Sequence, residues 1–134
     1  MSKKHKKKDE VKQLFALGKS GVKFTKLETF KAPPNCFKVE LVSQEVTAVC
    51  PVTGQPDFYK VDISYCPLQV CVESKTVKLY LQSFREKGLF CEEFAHQIAK
   101  DFATALGGAR TQVTVTQVPR GGVAIVAHAV EGGL

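Results

Sequence analysis

The chain reads as an α+β domain of ββααββ order, a four-stranded antiparallel sheet with two helices on one face. Two observations predict it. Apolar residues recur with period two up to about residue 65, with helical spacing between 77 and 106, and with period two again from 111 to 130. Proline and glycine clusters at 49–57, 107–108 and 119–122 fall where the period changes or a strand must reverse. Two helices cannot cover both faces of such a sheet, so the other face is wet or meets a second subunit.

Residues 1–34 hold a basic tail and an irregular wrap that closes on Ala32-Pro33-Pro34, and residues 35–134 form the single domain. From Asn35 the first strand puts Phe37, Val39 and Leu41 on one face and Lys38 and Glu40 on the other. Residues 49–57 (VCPVTGQPD) have the composition of a turn-rich loop that displays side chains without burying them. Tyr59, Val61, Ile63 and Tyr65 then alternate with Lys60, Asp62 and Ser64 in a second strand, and a short extended piece, 70–72, follows Pro67.

Val77, Tyr80, Leu81 and Phe84 stand at i, i+3, i+4 and i+7, one face of a helix that ends at Gly88. Phe94, Ile98, Phe102, Ala105 and Leu106 form the stripe of a second helix, stopped by Gly107-Gly108. Residues 111–118 alternate β-branched and polar groups, and Pro119-Arg120-Gly121-Gly122 leads into the last strand, 123–130.

At 134 residues, 44% of them apolar, the chain suits one hydrophobic core. No apolar run approaches the ~20 residues of a membrane-spanning helix, and no leader-like apolar stretch follows the N-terminal lysines, so a soluble cytoplasmic protein is expected. The net charge of +6 is concentrated: five of the 19 basic residues lie in the first eight, and the other 14 face 13 acidic ones. MSKKHKKK reads as a solvated tail or as an RNA-contacting arm. The five cysteines are odd in number and form no C-x-x-C pair, and His5, His96 and His128 are scattered, so neither a disulfide framework nor a metal site is expected.

Cys50 is the first candidate for chemistry. A lone cysteine is most often a small core hydrophobe, but this one opens a Pro/Gly loop, and as a nucleophile it would need a base or a positive neighbour. Asp57, across the same loop, is either that proton-handling partner or the cap of its own turn. Glu73-Ser74-Lys75 stands at a helix start, where Ser74 is an ordinary N-cap and anions are favoured. Lys75 and Lys78 emerge on neighbouring turns, as a solvated face or a phosphate clamp. Glu92 lies in the first turn of the second helix, rotated off the core stripe. The helix dipole accounts for it there, and the same geometry suits a carboxylate that accepts two N–H donors from a guanine-like edge.

In order, V-C-P-x-T-G-Q-P-D, V-E-S-K-x-x-K-L-Y, F-x-E and P-R-G-G span about Gln44 to Ile125. The series resembles the 7-cyano-7-deazaguanine reductases, which make the aminomethyl precursor of queuosine in transfer RNA. The resemblance implies the tunnelling fold (T-fold), in which ββααββ subunits build an oligomeric barrel, expected as stacked pentamers with active sites between subunits. It implies Cys50 as the nucleophile of a covalent thioimide and Asp57 as proton donor. It implies Val72, Glu73, Ser74, Cys91 and Glu92 as substrate contacts, and Lys75, Lys78 and Arg120 as contacts to the phosphates of NADPH. The substrate would be 7-cyano-7-deazaguanine, with no metal, membrane or nucleic acid required. Cys91 departs from the pattern, since many members have histidine there; a reversible Cys50–Cys91 disulfide is a further expectation. The nearest alternative is an archaeosine-forming amidinotransferase, which shares the thioimide without reducing it. A second is a non-catalytic RNA-binding module using the basic tail.

Overall fold

The computed structural model describes residues 23–133, so the lysine-rich tail lies outside the described residues. The elements are β1 (Thr29–Lys31), β2 (Val39–Val49), β3 (Pro56–Tyr65), β4 (Val70–Val72), α1 (Ser74–Gln82), α2 (Cys91–Ala105), β5 (Thr111–Arg120) and β6 (Val123–Glu131). The main sheet is antiparallel with strand order β2-β3-β5-β6, which is the expected ββααββ order. The segment before residue 35 is less irregular than its sequence suggests, because β1 pairs antiparallel with β4. That pairing satisfies the backbone of two short extended pieces neither of which has a period of its own.

Both helices cover one face. Tyr59, Val61, Ile63, Tyr65, Val113 and Val115 point into it, each 2% exposed or less, and meet Phe94, Ile98 and Phe102 of α2 at 0%. The helical stripes bury as their spacing requires except at Ala105, which is only partly buried in the last turn, and Gly107 and Gly108 stop α2 in left-handed conformations. The Gly108 N–H donates to Ala103 O at 2.8 Å and the Gly107 N–H to Thr104 O at 3.2 Å, so the last carbonyls are satisfied. The first helix is shorter than expected: α1 ends at Gln82, a turn follows at 83–86, and Gly88 lies beyond it in an isolated parallel bridge to Val49.

The opposite face carries no helix and exposes Val42, Phe58, Val126 and Val130, each more than half exposed, among Lys60, Asp62, Thr116 and His128. Phe37 is 81% exposed, contrary to the expected strand face, because β2 begins only at Val39.

Two strands each carry one extra residue. In β2, Ser43 pairs with Val61 but Val46 pairs with Tyr59, so three steps on one strand match two on the other. In β5, Gln117 pairs with Ile125 and Arg120 with Val123, the same mismatch. A one-residue insertion moves every later side chain to the other face. The consequence falls on the candidate site.

Candidate active site

Strict alternation from Val39 and Leu41 would turn even-numbered residues of β2 away from the helices. The bulge after Ser43 reverses this, so Val46, Ala48 and Cys50 face inward, at 3%, 0% and 8% exposure. In β5 the insertion spans Val118-Pro119, where proline cannot donate to a ladder. It brings Arg120 onto the face of Gln117, which is also the face of Asp57 and Tyr59. Both insertions thus aim a side chain at one end of the sheet.

The Cys50 loop is held on three sides. The Cys50 N–H donates to Gln55 O at 2.8 Å, and the Gly54 N–H to Cys50 O at 2.9 Å, a tight turn that needs the left-handed Gly54 (φ 71°). From outside, the Val49 N–H donates to Lys87 O and the Leu89 N–H to Val49 O, at 3.0 and 3.2 Å. The backbone at Gly88 comes so close that a Cβ there would stand 3.3 Å from Pro51 Cα. The loop is therefore a clamped structure, and neither Cys50 nor Asp57 is displayed as the composition suggested. Asp57 is buried at 3% because β3 already runs inward at that residue.

The Cys50 thiol is pulled down to about 6. The Thr53 side chain contributes most, then the Thr53 N–H, the Arg120 guanidinium and the Val52 N–H, all of which favour the thiolate. Desolvation opposes them and is the smallest of these influences. Arg120 also reaches Asp57: its Nε stands 3.0 Å from Asp57 Oδ1. The N–H does not point at that oxygen, so Oδ1 has charge compensation without a directed hydrogen bond. The same two neighbours, Cys50 first, hold the guanidinium protonated.

Cys91 opens α2 at the same end and is 2% exposed. Burial raises its thiol, and Sγ donates to Val115 O at 3.5 Å. It is a free thiol, as are the other four cysteines, and no disulfide joins it to Cys50. Glu92 follows it, exposed, in the first turn of α2, where the helix dipole favours a carboxylate.

The other expected residues lie elsewhere. The Val72 N–H donates to the Tyr65 hydroxyl at 3.0 Å, and Tyr65 is eight residues from Asp57 on β3, roughly 26 Å at about 3.3 Å per residue. Val72, Glu73 and Ser74 are thus at the far end of the sheet from Cys50. Glu73, and not Ser74, caps α1: its carboxylate accepts from the Lys75 N–H at 2.8 Å and the Thr76 N–H at 3.1 Å. The longer side chain reaches both donors from an extended backbone, and Ser74 is already helical. Lys75 and Lys78 are exposed on α1. Lys78, with Ser74, Gln82 and Arg85, lines a groove of about 590 Å³ between α1 and β2 that does not include Cys50. Arg120 is not with these lysines but with Cys50 and Asp57.

Sequence reasoning missed Thr53 and Tyr59. Thr53 sat inside the quoted motif; Tyr59 is an ordinary inward strand position, and only its burial beside Asp57 singles it out. Among the described residues no group of three or more histidine, cysteine or acidic side chains is placed to hold a metal, and no helix is long and apolar enough to cross a membrane.

Fold and site define a class: a ββααββ domain with a thiolate-forming cysteine, a buried aspartate and an arginine between them. Residues 56–132 match the family described as QueF-like protein. The chain is 39% identical over 123 residues to the NADPH-dependent 7-cyano-7-deazaguanine reductase of Syntrophus aciditrophicus, covering 90% of this chain and 88% of that one. It is 41% identical over 99 residues to the protein of the same name from Rhodopirellula baltica, covering 72% and 82%. Among solved structures it is similar to an archaeosine synthase QueF-Like in the apo form, with TM-score 0.68 and 25% identity over 78% of this chain and 99% of that one. The chain belongs to the family of QueF-like proteins and NADPH-dependent 7-cyano-7-deazaguanine reductases.

Proposed function

We propose that the chain is an oxidoreductase that uses NADPH to reduce the nitrile of 7-cyano-7-deazaguanine to the amine of 7-aminomethyl-7-deazaguanine, on the route to queuosine in transfer RNA. The observation that carries the reading is the thiol of Cys50, lowered to about 6 beside a buried Asp57. The names of the relatives point the same way.

A nitrile carbon accepts hydride poorly. Attack by the Cys50 thiolate forms a C–S bond while the C–N π pair takes a proton from the Asp57 carboxyl, giving a thioimide, a better electrophile. Cysteine suits both halves of the cycle, since it attacks well and also leaves. NADPH supplies two hydrides, one per molecule, for this four-electron reduction. Exposed Lys78, which lines the 590 Å³ groove, and exposed Lys75 three residues before it suit its phosphates. Arg120 is the third residue proposed for that task, and its contact with Cys50 and Asp57 gives it a second role, holding the Asp57 side chain beside the Cys50 thiolate. Glu92 accepts from the ring N–H and exocyclic amine of the base, and a base lacking those donors would leave it unpaired. Cys91 closes the wall of the pocket beside Glu92.

Val72, Glu73 and Ser74 join this chemistry only from a second copy, because within one chain they stand at the opposite end of the sheet. That supports a homo-oligomer with sites between subunits, of the stacked-pentamer kind. The helix-free face and the edges of β2 and β6 are the surfaces such an assembly would use. A cytoplasmic location belongs to the same proposal and fits five free thiols in a reducing compartment.

The amidinotransferase reading draws on the solved archaeosine synthase, at 25% identity. Mixing the protein with 7-cyano-7-deazaguanine and NADPH and following nicotinamide absorbance separates the two. Oxidation of about two NADPH per nitrile supports the reductase; a covalent adduct without oxidation supports the amidinotransferase; neither signal leaves the RNA-binding module.

A further inference from the structure

Tyr59 is 1% exposed, and its hydroxyl has no hydrogen-bond partner among the described residues. Its ring is fixed by an edge contact to Phe94, with centroids 5.2 Å apart at 85°. Two residues earlier on the same face, Asp57 Oδ1 also lacks a directed hydrogen bond. A buried donor and a buried acceptor left unpaired cost about 1–3 kcal/mol each, and native structures keep few of them. These two lie side by side at the candidate site and are chemically complementary.

The groups facing Asp57 and Tyr59 come from every element packed there. They are Cys50 on its loop, Arg120 at the end of β5, and Cys91 at the start of α2, with exposed Glu92 beside Cys91. Cys91 directs its one donor at Val115 O. Arg120 Nε is beside Oδ1 but not aimed at it. That leaves the phenol as the donor on this wall with nothing else to bind. Burial first, then the charge of Asp57, pushes the phenol far above its ordinary range, so Tyr59 keeps its proton at any working pH and acts as a donor only.

We propose that Tyr59 is a positioning residue for the proton transfer, its O–H donating to the Asp57 carboxylate that forms when Asp57 protonates the substrate nitrogen. This rests on the reading of Asp57 as proton donor. In the step, Cys50 sulfur bonds to the nitrile carbon, the C–N π bond breaks, the Asp57 proton moves to nitrogen, and the Tyr59 proton stays on its oxygen. The hydrogen bond strengthens as the carboxylate forms, which makes Asp57 the better acid.

The test is Tyr59→Phe in the full chain, which removes one oxygen and keeps the contact with Phe94. Thioimide formation is timed by intact mass across pH 5–9, with Cys66→Ala, an exposed position outside the site, as the control. The variant lacks the hydrogen bond that the forming carboxylate would accept. The limb on which the rate falls with rising pH therefore moves upward, by about one pH unit, and the maximal rate drops roughly tenfold. Cys50 alkylation, the KM for NADPH and the melting temperature stay near wild type. Cys66→Ala leaves the limb in place. A Tyr59→Phe profile superimposed on wild type, or one lowered at every pH without a shift, overturns the proposal. If the wild-type protein itself forms no adduct, the reading of the function has failed, and that outcome is separate from this one.

Discussion

Replacing Thr53 by valine removes the side chain that does most to stabilise the Cys50 thiolate and leaves the Thr53 backbone N–H in place. In the wild type, lowering the thiol from 9.0 to about 6 changes its ionised fraction at pH 7 from about 1% to about 90%. A thiolate of lower proton affinity is also a weaker nucleophile. With a Brønsted slope of about 0.4–0.5, three units cost roughly 15- to 30-fold in intrinsic rate, so the net gain at pH 7 is only about three- to sixfold. The larger effect is on the shape of the pH profile. Alkylation of the Cys50 peptide by iodoacetamide, followed by mass spectrometry from pH 4.5 to 9.5, should reach half its plateau near pH 6. In Thr53→Val the midpoint should move up by on the order of one pH unit, because one hydrogen bond to the charged form is gone. A wild-type midpoint at 8 or above refutes the reasoning. So does a Thr53→Val midpoint identical to wild type.

Four other outcomes follow from the same geometry. Phe102→Ala, at a fully buried site between helix and sheet, should cost about 3–5 kcal/mol in urea denaturation. Glu73→Ala should cost about 1 kcal/mol, because it frees the Lys75 and Thr76 N–H groups. If Cys50→Ala and Glu73→Ala chains are each inactive alone, mixing them under conditions that reassemble the oligomer should restore about one quarter of wild-type activity, since a quarter of randomly formed interfaces carry both intact residues; no recovery would contradict a site shared between subunits. Cys50 is an acid whose value is lowered on folding, so it favours the native state fully above about pH 9, and that advantage is lost as pH falls to about 6. The gap between the denaturation midpoints of wild type and Cys50→Ala should therefore widen from pH 6 to 9.

The legible part of the fold was whatever depends on period. Tyr59 through Tyr65 alternate, the stripe from Phe94 to Leu106 is helical, and the paired glycines after it form the stop. The site was legible as a set of residues and much less as a geometry. The β2 bulge leaves no mark in Ser43-Gln44-Glu45, so nothing along the strand said that Cys50 would face inward. The β5 bulge had a signal in Pro119, but its effect on Arg120 depends on the register against β6, which is a tertiary fact. Glu73 displaced Ser74 as the cap because reach decided between them. Tyr59 looked like core because a phenol's environment is not written in its neighbours along the chain. The order of the motifs likewise hid the distance between them: Asp57 and Val72 are 15 residues apart in sequence but at opposite ends of β3.

The claim on which the rest depends is that Cys50 forms the covalent bond to the nitrile. Intact-mass analysis after incubation with 7-cyano-7-deazaguanine and no NADPH tests it directly. The account predicts an adduct equal to the whole mass of the nitrile on the Cys50 peptide, absent from Cys50→Ala and discharged from the wild type when NADPH is added. An adduct on another residue, or nitrile-dependent NADPH oxidation that survives in Cys50→Ala, would contradict it.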